Sequence, residues 1–168
     1  MEKHDKILIA VDDSEASTRA VAYMSQMVGR HPNIQVRLFH VLPAIPPELL
    51  EFGGSEDPET EHRLSMELKK VQAQWIEKAK QEAQSSLDKA RTMLCEGGFS
   101  AHAISTTLSP TIHKPDVVRE VLEAARDWGC GTIVVGRHAH SRVHELSPRH
   151  VGEELARKAN GFAIWVVA

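Results

Sequence analysis

Short runs dense in β-branched and aliphatic residues punctuate this chain, and longer stretches between them repeat apolar positions every three to four residues. Residues 6–11 and 132–136 are apolar almost throughout, the pattern of strands that a parallel sheet buries on both faces. Residues 34–42, with Val36, Leu38 and Val41 apolar and Pro43 at the end, predict another strand. Residues 100–108 alternate more loosely as a further one, and residues 162–167 predict the last.

The longer stretches predict four helices. Ser14 is a good N-cap for a helix carrying Ala16, Ala20, Tyr23, Met24, Met27 and Val28, with Gly29 as its stop. Residues 61–96 place Leu64, Leu68, Val71, Trp75, Ala79, Ala83, Leu87, Ala90 and Leu94 on one stripe, stopped by Gly97-Gly98. At about 1.5 Å per residue such a helix outruns a small domain. The half after about Trp75 is expected on the sheet, and the half before it is expected to project, bend away or contact a partner chain. His113-Lys114-Pro115-Asp116 starts a helix bearing Val117, Val118, Val121, Leu122, Ala125 and Trp128, ended by Gly129. Ser147 as N-cap and Pro148 start the last one, with Val151, Leu155, Ala156 and Ala159 expected to face inward and Asn160-Gly161 to end it.

Strand and helix alternate strictly, which predicts an α/β fold: a five-stranded parallel sheet with helices on both faces and right-handed crossovers. Ligands of such sheets bind beyond the carboxyl ends of the strands where the strand order reverses. With the first and fourth strands flanking that point, Asp12 and Gly136 are expected to face each other.

Length adds that residues 1–168 form one domain. Residues 43–62 interrupt it as an acidic surface excursion with four prolines, two adjacent glycines, six acidic residues and no Lys or Arg. A helical turn is expected at Pro47-Glu48-Leu49-Leu50, and the excursion reads either as a lid or partner-binding loop or as an insertion without a role. A net charge of -3 argues against nucleic acid or an anionic membrane as partner. No run approaches a membrane span and residues 1–6 enter a strand without a signal-type apolar region, so a cytoplasmic location is expected. Cys95 and Cys130 lack metal-ligand spacing and are expected as reduced thiols.

Catalytic signatures are missing. There is no Walker-type loop and no Gly-x-Ser-x-Gly elbow, and Asp12-Asp13 reads more simply as a strand-end turn than as an acid–base pair, so no catalytic residue is assigned. His138, His140 and His144 could offer three imidazoles. Glu145 is the one adjacent carboxylate and no Cys is near, so no metal site is assigned either.

Taken together, four segments resemble the universal stress protein family. They are residues 7–17 (Ile-Leu-Ile-Ala-Val-Asp-Asp-Ser-Glu-Ala-Ser), His40-Val41, Thr132–Gly136, and Val151-Gly152-Glu153-Glu154-Leu155 leading to Ile164-Trp165-Val166-Val167. Residues 43–75 are the part least like a typical member. The resemblance implies a Rossmann-like, adenine-nucleotide-binding type of fold, a homodimer through the last strand, and a role in stress survival rather than a defined reaction. ATP or AMP is the implied ligand, with Mg only alongside the nucleotide. The implied contacts are Asp12 at the ribose or adenine, the backbone of Val41 at the base, and Gly136, Arg137, Ala139, Arg149, His150 and Val151 at the phosphates.

In ATP-binding members the fourth strand is followed by Gly, two residues, Gly, nine residues, then Gly and Ser or Thr. Only Gly136 matches here; Ala139 takes the second glycine position and Arg149-His150 the closing pair. A side chain as large as Arg149 would fill phosphate space that glycine leaves open. Against this, Arg137, Arg142 and Arg149 with His138, His140, His144 and His150 make a cationic loop and helix start, the wrong sign for a helix dipole by roughly 0.3–1 kcal/mol each when exposed. A bound anion would reverse that cost, and arginine forks suit phosphate.

Two function classes follow. One is a dimeric stress-response protein binding an adenine nucleotide or other phosphate ligand, with slow nucleotide hydrolysis as the most activity expected. The other is a non-ATP-binding member with a vestigial pocket, acting as a dimerisation and interaction module toward an unknown protein.

Overall fold

The computed structural model describes residues 5–28, 31, 33–50, 54–109, 116–137 and 151–168. In chain order these form β1 (Lys6–Ala10), α1 (Glu15–Val28), β2 (Gln35–His40), a 3-10 turn at Pro47–Leu49, α2 (Pro58–Glu96), a 3-10 turn at Ala101–Ala103, β3 (Ile104–Leu108), α3 (Val117–Trp128), β4 (Thr132–Gly136), α4 (Val151–Lys158) and β5 (Ala163–Val167). All strand pairs are parallel, in the order β3-β2-β1-β4-β5. The chain builds outward from β1 through β2 to β3, then crosses back to lay β4 and β5 on the other side. The order therefore reverses between β1 and β4, as the sequence predicted.

Alternation along each strand splits the core into two layers. Ile7, Ile9, Val36, Leu38 and Val134 meet Ala20, Val21 and Met24 of α1 and Leu87, Ala90 and Leu94 of α2. On the opposite face, Leu8, Phe39, Ile133 and Val135 meet Val118, Val121, Leu122 and Ala125 of α3 and Leu155 of α4. Each fully buried leucine in these layers contributes about 1.5–3 kcal/mol by leaving water.

The helix ends follow local chemistry. Ser14 Oγ accepts from Ser17 N–H at 3.1 Å, and Asp116 Oδ1 accepts from Arg119 N–H at 3.1 Å, so both predicted starts are capped. Gly129 ends α3 at φ 68°, where an L side chain would be strained. The expected stop at Gly29, the segment from His113 to Pro115 and the Ser147-Pro148 start lie outside the described residues.

Two expectations need correction. The helix predicted from 61 begins at Pro58, with Asp57 as N-cap accepting from Thr60 N–H at 3.0 Å. The last residues of the acidic excursion are thus helical, a start signal of Asp then Pro that the acidic run obscured. Ala156 is exposed rather than inward, because Val151, Leu155 and Ala159 already define the covered face and Ala156 lies about 100° round the helix from Leu155. The limits of β1, β2, β3 and β5 shrink by one to four residues while β4 keeps its span, and neither Cys95 nor Cys130 is in a disulfide.

Candidate functional site

A cleft of about 1060 Å³ opens beyond the carboxyl ends of β1, β2 and β4, at the point where the strand order reverses. Its floor forms because the strands end in step: Val11 N–H donates to Phe39 O at 2.8 Å, so β1 and β2 stay paired until they leave the sheet. Beyond that bond β1 turns through Asp12 and Asp13 into α1, and β2 continues through Val41 and Leu42. The small side chains Ala79 and Ala83 make part of the α2 wall, and α3 and α4 contribute Val117 and Val151.

Asp12 is exposed at the mouth and held in a ring of short-range bonds. Its Oδ1 accepts from Ser14 N–H at 2.9 Å and from the Ser14 hydroxyl. Ser14 caps α1 through Ser17 N–H, and Ser17 Oγ accepts from Asp12 N–H at 3.1 Å. The ring fixes the carboxylate's direction before any ligand arrives, a preorganisation that lowers the ordering cost of binding.

His40 ends β2 and lines the cleft, with Nδ1 enclosed and without a hydrogen bond within ordinary distance among the described residues. Burial pushes its pKa below the ordinary 6.5; nearby Asp12, the Val41 backbone and Asp13 pull it partly back. The imidazole is therefore held toward its neutral form.

Every Asp, Glu, Lys or Arg in the described lining is a carboxylate: Asp12, Asp13, Glu82, Asp116 and Glu154. Described cations stand at the exit of β4 instead. Arg19 donates to Arg137 O at 3.5 Å, and Arg137, exposed there, is not among the lining residues. Such a cleft suits a ligand whose body is a neutral donor-rich group and whose anionic end leaves the carboxylates on the side of Gly136 and Arg137. No cluster of three or more metal-ligating side chains occurs among the described residues. His138, His140, His144 and Glu145 lie outside them.

Of the residues singled out in the sequence, Asp12, Val41, Gly136 and Val151 come together on this one cleft. Ala139, Arg149 and His150, and with them Arg142, lie outside the described residues. The sequence reading missed His40, Ser17, Glu82, Ser86, Asp116 and Glu154. His40 had a usable signal, standing at the carboxyl end of the strand beside β1. Glu82, Ser86 and Glu154 had none, because helix positions reach the cleft only through tertiary packing.

Gly136 has a reason of its own. A Cβ there would meet Ala16 O at 2.2 Å, so the backbone of α1 crosses directly over the end of β4.

Comparison with known proteins bears on the same cleft. A sequence model described as the universal stress protein family matches residues 3–161. Among curated proteins none matches this sequence. A universal stress family protein from Burkholderia pseudomallei is similar in structure, with TM-score 0.66 and 19% identity over 99% of this chain and 98% of that one. A universal stress protein in complex with cAMP aligns at TM-score 0.62 and 15% identity, covering 99% of each chain. The Archaeoglobus fulgidus universal stress protein in complex with dAMP aligns at TM-score 0.57 and 18% identity, covering 97% of each.

Proposed function

The chain belongs to the universal stress protein family, and from that premise we propose that its cleft binds an adenine nucleotide and that the protein acts in stress response as a binding protein rather than an enzyme. The observation that carries the reading is the meeting of Asp12, Val41 and Gly136 on one cleft at the β1–β4 switch point. Asp12 accepts from ribose hydroxyls, the Val41 backbone borders the base, and the small side chains Ala79 and Ala83 leave room for a flat ring. Phosphates lie toward Arg137, Ala139, Arg149, His150 and Val151, with Mg entering only with the nucleotide. The cAMP and dAMP complexes of two structurally similar proteins support an adenosine body of this size. No helix among the described residues is long and apolar enough to cross a membrane, which agrees with a cytoplasmic setting.

A homodimer through β5 belongs to the same reading. β5 is an edge of the sheet, and Phe162, Ile164 and Trp165 along it stay half-buried. Pairing across a two-fold axis covers such an edge.

A second reading is favoured by one observation: the described lining offers a phosphate no Lys or Arg. On that reading the pocket is vestigial and the protein acts through its surfaces on a protein partner.

Thermal unfolding with and without millimolar ATP, AMP and phosphate, each with and without magnesium, separates the two. Ligand at about one hundred times its Kd adds roughly 2.7 kcal/mol, a readily visible shift. The nucleotide reading expects a shift with ATP or AMP that Asp12→Asn abolishes, since Asn keeps an acceptor for Ser14 N–H but loses the charge. A shift lost in Arg149→Ala places the phosphates on that side chain. No shift with any ligand overturns the nucleotide reading and leaves the interaction module.

A further inference from the structure

We propose that Glu82 and Ser86 on α2 select the base: they read the exocyclic amine of a 6-aminopurine and turn away purines that carry a carbonyl at that position. The inference rests on the nucleotide reading and deepens it. α2 shows the cleft one face, made by Ala79, Glu82, Ala83 and Ser86, which lie within about 100° of arc around the helix. Ala79 and Ala83 are buried and end in a methyl group, so a flat ring can lie close along the helix there. The polar groups that such a ring meets on this face are Glu82 and Ser86.

Their chemistry is one-sided. The Ser86 hydroxyl donates to Glu82 O at 3.3 Å, which spends its one proton on the helix and leaves lone pairs for the cleft. Glu82 is a carboxylate and accepts only. Its Oε1 stands 3.8 Å from Lys78 Nζ in an exposed pair, the kind that holds a side chain weakly and leaves the second oxygen to a ligand. Where β2 leaves the sheet, Val41, Leu42, Pro43 and Ala44 line the cleft with apolar side chains. Between these two walls the side chains therefore offer acceptors and no proton. His40, at the end of β2, feels the charges of Asp12 and Asp13, which sets that ring with the carboxylates assigned to the ribose side.

The 6-position of a purine is where such walls discriminate. The amine of adenine brings two N–H donors, one for Glu82 and one for Ser86 Oγ. A carbonyl in its place sets oxygen against oxygen at both contacts and leaves the desolvated acceptors without partners. A site built around a hydrogen bond rejects the ligand that lacks it more strongly than shape alone does. Both acceptors stand on the half of α2 that packs on the sheet from Ala79 onward, so their direction is set by a rigid element before a ligand enters.

Calorimetric titration with AMP and with IMP, the same nucleotide with a carbonyl in place of the amine, tests this on wild type, Glu82→Gln and Ser86→Ala. The two probes share ribose and phosphate, so whatever holds those parts cancels in the ratio of their Kd values. Wild type is expected to bind AMP about tenfold more tightly than IMP. In Glu82→Gln the amide can donate to the carbonyl, and the ratio is expected to fall toward one, chiefly through tighter binding of IMP. Ser86→Ala is expected to lose AMP affinity several-fold and to keep that for IMP. Unchanged unfolding midpoints without ligand show that both variants are folded. Equal binding of AMP and IMP by wild type, or a ratio that either variant leaves as it was, overturns the proposal while the nucleotide reading stands. Binding of neither probe overturns both.

Discussion

A methyl group on Gly136 would stand 2.2 Å from the carbonyl oxygen of Ala16 and 2.8 Å from the amide nitrogen of Ser17, so the first turn of α1 rests on the exit of β4 backbone to backbone. Neither backbone group can swing aside as a side chain would. Gly136→Ala is therefore expected to destabilise the ligand-free protein by about 1–3 kcal/mol or more, the range for forcing extra volume into a packed site. The midpoint of chemical denaturation without nucleotide measures this. An unchanged midpoint would mean that this glycine serves a ligand instead of the helix crossing.

His40 gives the protein a pH dependence whose sign follows from its surroundings. Burial lowers its folded pKa below 6.5, so near and below that pH the unfolded chain binds more protons than the folded one. Stability contributed by neutral His40 is whole above the unfolded pKa and is lost as pH falls from there to the folded value; below the folded pKa the loss is complete. His40→Gln is expected to flatten the stability profile as pH falls through and below the ordinary histidine pKa of 6.5. An NMR titration of the His40 ring that gives an apparent pKa at or above 6.5 would contradict the assignment.

The contrast between Val41 and Glu82 shows what could be read in advance. The sheet was legible because β-branched runs such as Thr132–Gly136 have few other homes, and the strand-end residues Asp12 and Gly136 followed from the topology, while Val41 was singled out by the family resemblance. Glu82 lies on α2 among solvent-facing charges, and only the path of a long helix across the cleft gives it a place there. The start of α2 was misplaced for a related reason: Glu56, Asp57, Glu59 and Glu61 look like a solvated run, although Asp57-Pro58 is also a helix start. The proposed phosphate end rests on Ala139, Arg149 and His150, where the chain departs from the family's Gly and Gly-Ser/Thr pattern and which lie outside the described residues.

At the β5 edge the reading can be tested without touching the cleft. Val166 is 40% exposed, and its Cγ1 would lie 2.9 Å from a Cβ on Gly152, so one side of it packs on α4 while the rest faces outward. In Val166→Lys the alkyl stem can keep much of that contact while the ammonium stays in water and opposes a second strand. The expected result is loss of the β5-linked assembly with unfolding temperature nearly unchanged. Light scattering that shows the same mass as wild type would remove β5 as the interface.

Glu120 is the remaining charged group that the fold treats oddly. It is 3% exposed on α3 beside Val121, and its Oε1 has no hydrogen bond among the described residues; the nearest described cation is Arg119 at 3.6 Å, itself 56% exposed. With no donor among the described residues, such an enclosed carboxylate oxygen carries a desolvation cost of about 1–3 kcal/mol that an apolar side chain of similar length does not. Arg119 would keep Glu123 at 3.9 Å if Glu120 were removed, so no cation is left enclosed and alone. Glu120→Met is accordingly expected to raise stability at neutral pH by about 1–3 kcal/mol, read as a higher denaturation midpoint. A lower midpoint would mean that the carboxylate is bonded in solution to residues outside those described, and would turn Glu120 from a cost into a fastening for that segment.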